Sequence, residues 1–216
     1  ASTAELAVTL MLALSRRVLP GHEMAVKNEF NGWQVMGYLG GNQVVDKTLA
    51  IVGFGQIGQY IGKIAQAFNM KILYVDHEEK DTDINAEKVT LEEALKEADY
   101  VITQVNYNKT SHHLFGKKEF EQMKDTAYFI NTARGGVVDE AALVDALKNK
   151  QIQAAALDVH EEEPHINEEL AQLDNVILTP HIGNDTYEAR NKMAEVAADQ
   201  AVKALTDAEL DYQVNK

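Results

Sequence analysis

From residue 48 onward, short apolar runs alternate with amphipathic stretches, and this alternation restricts the fold more than any other feature of the sequence. The apolar runs, rich in β-branched and aromatic residues, lie at 48–53, 71–75, 100–105, 127–131, 153–159 and 176–179. Short strands that are apolar along their whole length and separated by helices are typical of a parallel sheet covered on both faces. The sequence therefore predicts an α/β fold built on a doubly wound, six-stranded parallel sheet.

The segments on either side of this region predict helices and supply no strands for a second domain. Residues 3–19 are apolar nearly all round, a pattern typical of a helix that is buried on more than one side. Residues 187–205 show another long helical pattern. We therefore divide the chain into a helical entry region at 1–47, an α/β domain at 48–186, and a C-terminal helix with its tail at 187–216.

Composition excludes several kinds of function. The formal net charge is −14 at pH 7, so neither nucleic acid nor an anionic membrane surface is an expected partner. The absence of cysteine excludes disulfides, thiolate catalysis and Cys-ligated zinc, and it fits a cytoplasmic protein. The apolar stretch from Leu6 to Leu14 is too short to span a membrane.

A glycine-rich turn follows the first apolar run and leads into a helical pattern, with the sequence GFGQIG at 53–58. In this context Gly53 permits a tight turn, Gly55 lets the backbone approach a pyrophosphate, and Gly58 permits close packing of helix on strand. The next run ends at Asp76, where an acid is placed to bind a ribose diol. The pattern predicts a dinucleotide site rather than an ordinary turn. Asp76 favours NAD over NADP, because a carboxylate repels a 2′-phosphate.

The ends of the later strands predict a candidate catalytic set. Ligands of such folds bind beyond the carboxyl ends of the strands, which places Gln104–Asn106, Thr132–Arg134, Asp158 and Thr179–His181 around one cleft. His181 is suited to proton exchange near neutral pH, Glu163 would stabilise its imidazolium form, and Arg134 is suited to clamp a carboxylate. From the residues alone the alternatives stay open: a helix-capping histidine, a solvated glutamate and an arginine in a surface ion pair.

Four passages together resemble one protein family. NTARGGVVDEAALVDAL, ALDVHEEEP, NVILTPHIG and VGFGQIG are similar to motifs of the D-isomer-specific 2-hydroxyacid dehydrogenases, and the resemblance covers about residues 3–205. It implies a Rossmann fold and an NAD-dependent oxidoreductase that interconverts a small 2-oxo acid and a D-2-hydroxy acid. It also implies that Arg134 binds the substrate carboxylate and polarises its carbonyl, that His181 is the acid/base, and that Glu163 is its partner.

The same resemblance implies a set of cofactor contacts. Gln56 and Ile57 would lie at the pyrophosphate, and Thr132, Ala133 and Asp158 near the nicotinamide. The full set is Gly53, Gly55, Gln56, Ile57, Gly58, Asp76, Val105, Asn106, Ser111, Thr132, Ala133, Arg134, Asp158, His181 and Gly183.

One stretch departs from the family pattern. The family usually carries a histidine, a Val-Pro pair and a threonine where this chain has Gln104, Val105-Asn106 and Ser111. Without the proline we expect a looser loop on the adenine side, which makes these contacts less secure. Glutamate at 163 argues against the formate-oxidising branch that resembles this family, because that branch carries glutamine there.

Two histidine-rich stretches do not predict a metal site. Adjacent residues such as His112 and His113 point to opposite faces of an extended segment, and the segment from His160 to His165 lacks a zinc-ligand spacing. We therefore expect solvated surface at both places and no bound metal.

The resemblance also implies how this chain is organised in a larger assembly. The helix at 3–19 would leave a preceding substrate domain of about a hundred residues and would contribute to a homodimer. The tail at 206–216, which contains the stretch Leu210-Asp211-Tyr212-Gln213-Val214, resembles a segment that packs back onto that domain. The isolated chain is then expected to bind NADH with reduced affinity and to be inactive. The identity of the 2-hydroxy acid is not readable, and an NAD(H)-sensing module that recruits partners stays an open alternative.

Overall fold

A computed structural model describes residues 1–33, 37, 39–206 and 209–212 of the chain. These residues form two compact units, Ala1 with Thr3–Gly183, and Ser2 with the described residues from Asn184 on. The helices are α1 Ser2–Ser15, α2 Val18–Val26, α3 Gln56–Gln66, α4 Leu91–Glu97, α5 Lys117–Gln122, α6 Glu140–Lys148, α7 Glu168–Ala171 and α8 Tyr187–Leu205, with a 3-10 turn at Gly135–Val137. The strands are β1 Thr48–Val52, β2 Lys71–Val75, β3 Ala86–Lys88, β4 Tyr100–Thr103, β5 Tyr128–Asn131, β6 Ala154–Leu157 and β7 Val176–Leu178.

The strands form one parallel sheet in the order β3-β2-β1-β4-β5-β6-β7. The predicted doubly wound α/β fold is confirmed, but the predicted number of strands is wrong: the sheet of the described residues has seven strands, not six. The strand that the sequence missed is β3, which pairs only at the edge beside β2. Its residues Ala86, Glu87 and Lys88 are half-buried or exposed, so it lacks the apolar pattern of the other strands.

Helices cover both faces of the sheet and close two apolar clusters. On one face, α1 and α3 pack against the strands through side chains such as Met11, Ile61 and Tyr100. On the other face, α4, α5 and α6 enclose a cluster that includes Phe120 and Phe129. Burial of both faces explains why the strands are apolar along their whole length.

The predicted helix at 3–19 is wrong in its extent, because the chain forms two helices there. α1 ends at Ser15, and Arg17 adopts a left-handed backbone with φ of 49°. The Ser15 carbonyl accepts a hydrogen bond from the amide of Asn42 at 2.7 Å, which closes the end of α1 with a segment from elsewhere in the chain. Val18, in α2, is exposed, so the expected burial holds for α1 alone.

The predicted C-terminal helix agrees with α8. Among the described residues, no helix has the length and apolar character needed to cross a membrane.

Asp99, which directly precedes β4, binds both the start of β1 and a lysine that follows α5. Its Oδ2 accepts a hydrogen bond from the amide of Thr48 at 2.9 Å, and its Oδ1 accepts one from Lys124 Nζ at 3.0 Å. Burial acts to raise the pKa of Asp99, but the Thr48 amide and the Lys124 ammonium outweigh it, so that the pKa lies below its ordinary value. The carboxylate form therefore stabilises the folded state.

We expect Asp99→Asn to lower the free energy of unfolding by about 1 to 2 kcal/mol at pH 7, because the amide keeps the Thr48 contact and loses the charge that pairs with Lys124. The folded pKa lies below the unfolded one, so this contribution is present above the ordinary aspartate pKa and is lost as pH falls through the folded value. Denaturant unfolding of both proteins from pH 7 to pH 3 measures it. Asp125→Asn, at an exposed position, is the control. A difference between Asp99→Asn and wild type that does not depend on pH would contradict the assignment.

Candidate active site

The glycine turn between β1 and α3 leaves open space beside the second glycine. Gly53 has a φ of 96°, and a Cβ there would lie 2.6 Å from backbone atoms of Gln104. A Cβ at Gly58 would lie 2.3 Å from the carbonyl oxygen of Gly53, so helix and turn are in direct backbone contact. A Cβ at Gly55 meets no atom within 4 Å. The turn thus places the positive end of α3 beside space that a phosphate could enter.

Asp76 follows β2 and is linked to this turn. Its Oδ2 accepts a hydrogen bond from the amide of Phe54 at 2.9 Å, and its Oδ1 lies 3.0 Å from Lys80 Nζ. Burial acts to raise the pKa of Asp76, but Lys80 and the amides of Phe54 and Glu78 lower it below its ordinary value. The residues present therefore fit a dinucleotide: a helix N-terminus beside open space for the pyrophosphate, and an ionised acid at the next strand for the ribose.

The loop after β4 is closed by its own hydrogen bonds, although it lacks the proline that is usual in the family. Ser111 Oγ donates to the carbonyl of Asn106 at 2.7 Å and accepts from the amide of Asn108 at 2.8 Å. Gln104 Nε2 donates to Thr132 Oγ1, which joins this loop to the end of β5. The role of Val105, Asn106 and Ser111 as cofactor contacts stays a prediction.

Asn131 explains how β5 presents an arginine. This asparagine is fully buried; its Oδ1 accepts from the amide of Ala133 and its Nδ2 donates to the carbonyl of Arg134, both at 3.0 Å. Thr132 and Ala133 are buried, whereas Arg134 is exposed. The next residue, Gly135, packs directly on the loop after β6, since a Cβ there would lie 1.9 Å from the carbonyl oxygen of His160. The guanidinium is thus held on the surface of a fixed turn.

Glu163 and His181 form the hydrogen-bonded pair that the sequence predicted as a catalytic couple. Glu163 Oε2 lies 2.9 Å from His181 Nδ1, and Oε1 accepts from the amide of His160 at 3.0 Å. Burial acts to raise the pKa of Glu163, but the bonds from His181 and the His160 amide lower it below its ordinary value. Because Nδ1 is engaged with the carboxylate, Nε2 is the ring nitrogen that remains for a second partner.

Asp158 holds the loop that carries His181. Its carboxylate is 1% exposed and accepts from Thr179 Oγ1 at 2.6 Å, from the amide of Ile182 at 2.8 Å and from the amide of Gly183 at 2.8 Å. His181 lies between these anchors with a left-handed φ of 56°. Sequence reasoning placed Asp158 near the nicotinamide and missed this positioning role. Its only signal in the sequence was an acid at the end of a buried strand.

The two adjacent histidines do not point apart as we expected. The rings of His112 and His113 stack with centroids 4.0 Å apart, because His113 has a left-handed φ of 48° and the segment is not extended. His113 Nε2 lies 2.5 Å from Glu161 Oε1. Among the described residues, no group of three or more His, Cys, Asp or Glu side chains is arranged to hold a metal ion.

Comparison with known proteins identifies the family of this domain. The family model described as "D-isomer specific 2-hydroxyacid dehydrogenase, NAD binding domain" matches residues 8–183. This chain belongs to that family. A protein of Staphylococcus haemolyticus named "Putative 2-hydroxyacid dehydrogenase" is 45% identical over 219 residues, which cover 100% of this chain and 69% of the relative.

Two solved structures of other proteins show the same fold. A glyoxylate reductase from Paecilomyes thermophila matches with 32% identity and a TM-score of 0.90, covering 99% of this chain and 64% of the other. A D-lactate dehydrogenase from Lactobacillus jensenii, solved with NAD+, matches with 28% identity and a TM-score of 0.88, covering 100% and 68%. The cofactor of this family domain is NAD. None of the relatives named here is a sensing module, so the comparisons give that alternative no support.

We expect Gly55→Ala to raise the Kd for NADH about tenfold or more, because its methyl group enters the space reserved for the cofactor and no other part of the chain. The same variant should change the free energy of unfolding by no more than about 1 kcal/mol, because the lower entropy of the unfolded alanine chain offsets the loss of a glycine at the N-cap of α3. Gly58→Ala is the contrasting variant, because its Cβ meets the Gly53 carbonyl and should destabilise the fold itself. Fluorescence titration and denaturant unfolding separate the two effects. Unchanged NADH affinity in Gly55→Ala would contradict the placement of the cofactor.

Proposed function

We propose that this chain carries the cofactor site and the acid/base of an enzyme that interconverts a 2-oxo acid and a D-2-hydroxy acid. The observation that supports this most directly is the bond between Glu163 Oε2 and His181 Nδ1 at 2.9 Å, on a chain of this family with an NAD-type glycine turn. When bound, NAD(H) supplies or accepts a hydride. A proton must move with it, and His181 is placed to move that proton.

His181 acts as general acid in reduction and as general base in oxidation. Its Nδ1 is bonded to the Glu163 carboxylate, which stabilises the imidazolium that donates the proton. Nε2 gives this proton to the carbonyl oxygen of the oxo acid and takes it back from the hydroxyl group in the reverse direction. Asp158 keeps the ring in place by holding the loop on both sides of it.

Arg134 binds the carboxylate of the substrate. Its guanidinium donates to the carbonyl of Ala133 at 2.6 Å, and within the described part of the chain it forms no salt bridge. The remaining N–H groups are therefore available for a bidentate interaction with a carboxylate, which also brings the adjacent carbonyl into reach of the positive charge.

We further propose that residues 1–47 lead from a substrate domain, that residues 48–186 bind NAD, and that residues 187–216 return toward that domain. The relative from Staphylococcus haemolyticus is longer than this chain, which spans 69% of it. Side chains for substrate selection and exclusion of water would then come from the second domain. Of the tail that suggested the return, Gln213 and Val214 lie outside the described residues. Location in the cytoplasm also stays a prediction.

Turnover tests the proposed function. We expect the full-length gene product to oxidise NADH in the presence of at least one member of a panel of 2-oxo acids, and to reduce NAD with the D-form of the product. The 216-residue chain alone should bind NADH and show essentially no turnover. A full-length product that binds NADH and reduces no 2-oxo acid would contradict the proposed reaction. Full activity from the 216-residue chain, with its mass verified, would contradict the two-domain arrangement.

Glu163→Gln should lower kcat for the oxo acid at least about tenfold while KM changes little, because the amide removes the negative charge that is bonded to the His181 ring. The measurement is kcat and KM of the full-length protein with a 2-oxo acid that it reduces. Arg134→Lys is the contrasting variant: a point charge does not reproduce the bidentate fork, so KM for the oxo acid should rise at least about tenfold. An unchanged kcat in Glu163→Gln would show that the pair does not function in proton transfer.

We also propose that the protein is a homodimer, assembled through the region of α2. α2 buries none of its residues, and large apolar side chains are exposed on it and after it: Val18, Leu19, Val26, Phe30 and Trp33. An exposed apolar surface of this kind is typical of an interface.

Light scattering at micromolar concentration should give a dimer, and the double variant Leu19→Glu, Trp33→Glu should give a monomer. Tyr187→Glu is the control, since Tyr187 is also an exposed large apolar residue but lies on α8. A monomeric wild type would contradict this proposal.

A further inference from the structure

Lys80 lies against the acid that would bind the adenosine ribose. We propose that Lys80 sets how strongly this chain discriminates between NADH and NADPH, by neutralising Asp76 and by offering a cation to a 2′-phosphate. This proposal rests on the proposed assignment of Asp76 to the ribose. The sequence alone led to a simpler expectation, in which the carboxylate of Asp76 repels NADPH without opposition.

Lys80 is held in place and is not a freely moving surface lysine. Its Nζ lies 3.0 Å from Asp76 Oδ1, and its side chain is 26% exposed. Its amide donates to the hydroxyl of Tyr74 at 3.3 Å, and the Tyr74 ring is buried in the sheet and stacks on Phe54 with centroids 4.4 Å apart. Phe54 belongs to the glycine turn. The lysine is thus anchored to the same elements that form the cofactor site.

Asp76 and Lys80 are both ionised, and the net charge of the pair is close to zero. The hydrogen bond with Asp76 raises the pKa of Lys80 above its ordinary value, while Lys80 contributes to the lowered pKa of Asp76. Both groups therefore carry their charges at neutral pH. Glu78 lies 3.8 Å from Nζ, but its side chain is 83% exposed, so its charge is screened more strongly than that of Asp76.

The distances place a 2′-substituent of the ribose within reach of both charges. Asp76 Oδ1 is bonded to Lys80 and accepts a second hydrogen bond from the amide of Glu78 at 3.3 Å. Its Oδ2 accepts one bond, from the Phe54 amide, and retains capacity for a ribose hydroxyl, because a carboxylate oxygen accepts two. A 2′-oxygen bonded to Oδ2 lies about 3 Å from it and therefore within roughly 8 Å of the ammonium, about one Debye length at physiological salt. A phosphate on that oxygen meets an ion pair and not a bare carboxylate. The uncharged diol of NADH gains nothing comparable from Lys80.

Cofactor titration of the 216-residue chain tests this directly. We expect Lys80→Met to raise the Kd for NADPH about tenfold, because it removes a cation and leaves Asp76 uncompensated. The Kd for NADH should change by less than about twofold, since its ribose carries no phosphate. Lys80→Arg keeps the charge and should retain the NADPH affinity of the wild type. The unchanged NADH affinity of Lys80→Met excludes misfolding as the cause of its loss of NADPH affinity. All Kd values are measured by fluorescence at the same ionic strength.

Two further variants separate this proposal from the assignment on which it depends. Lys96→Met removes a lysine that pairs with Glu92 at 2.6 Å with the same i,i+4 spacing, on α4, and should change neither Kd. Asp76→Ala should lower the ratio of the NADPH Kd to the NADH Kd, as the ribose assignment requires.

If Asp76→Ala changes that ratio and Lys80→Met does not, the ribose assignment stands and the proposal for Lys80 is overturned. If Asp76→Ala leaves the ratio unchanged, the ribose assignment is wrong and the proposal falls with it. Equal loss of NADH and NADPH affinity in Lys80→Met would also overturn the proposal.

Discussion

The candidate site depends on one buried carboxylate. Asp158 is almost completely removed from solvent, and a buried charge is stable only when donors satisfy it. All three of its bonded donors come from the segment Thr179–Gly183, so the charge is satisfied only when that segment adopts this one path. His181 lies in the middle of the segment with a left-handed backbone. The position of the histidine is therefore a consequence of the need to satisfy a buried anion.

Polar residues at the strand ends fall into two groups by burial. The buried ones, Asn131 and Asp158, bind backbone amides of the loops that follow them or lie beside them. The exposed ones, Arg134, Glu163 and His181, retain hydrogen-bonding capacity for a ligand. Parallel strands bring both groups to the same edge of the sheet. The buried residues fix the backbone of these loops, and the exposed residues of the same loops face solvent. A small number of strand ends can therefore form an ordered site.

The sequence predicted those features that periodicity and strand-end position encode. The strands β1, β2 and β4 to β7 each bury an apolar run and were found within a few residues of their bounds. β3 was missed because Glu87 and Lys88 lie at an exposed edge, where no apolar pattern is required. The break at Arg17 was missed because it depends on Asn42, a residue far along the chain that binds the end of α1. The anchoring role of Asp158 and the Lys80–Asp76 pair were missed for the same reason: a hydrogen-bond partner is a property of the folded geometry and leaves no period in the sequence.

Gly135 has a consequence for how the site can move. Its backbone touches the His160 carbonyl with no side chain between them, while the His160 amide is bonded to Glu163. A direct contact between two backbones has little compliance, because no rotatable side chain can absorb a displacement. We therefore expect the turn that presents Arg134 and the loop that carries Glu163 to move as one body. The group that would hold the substrate and the partner of His181 would then keep their separation when either loop is displaced.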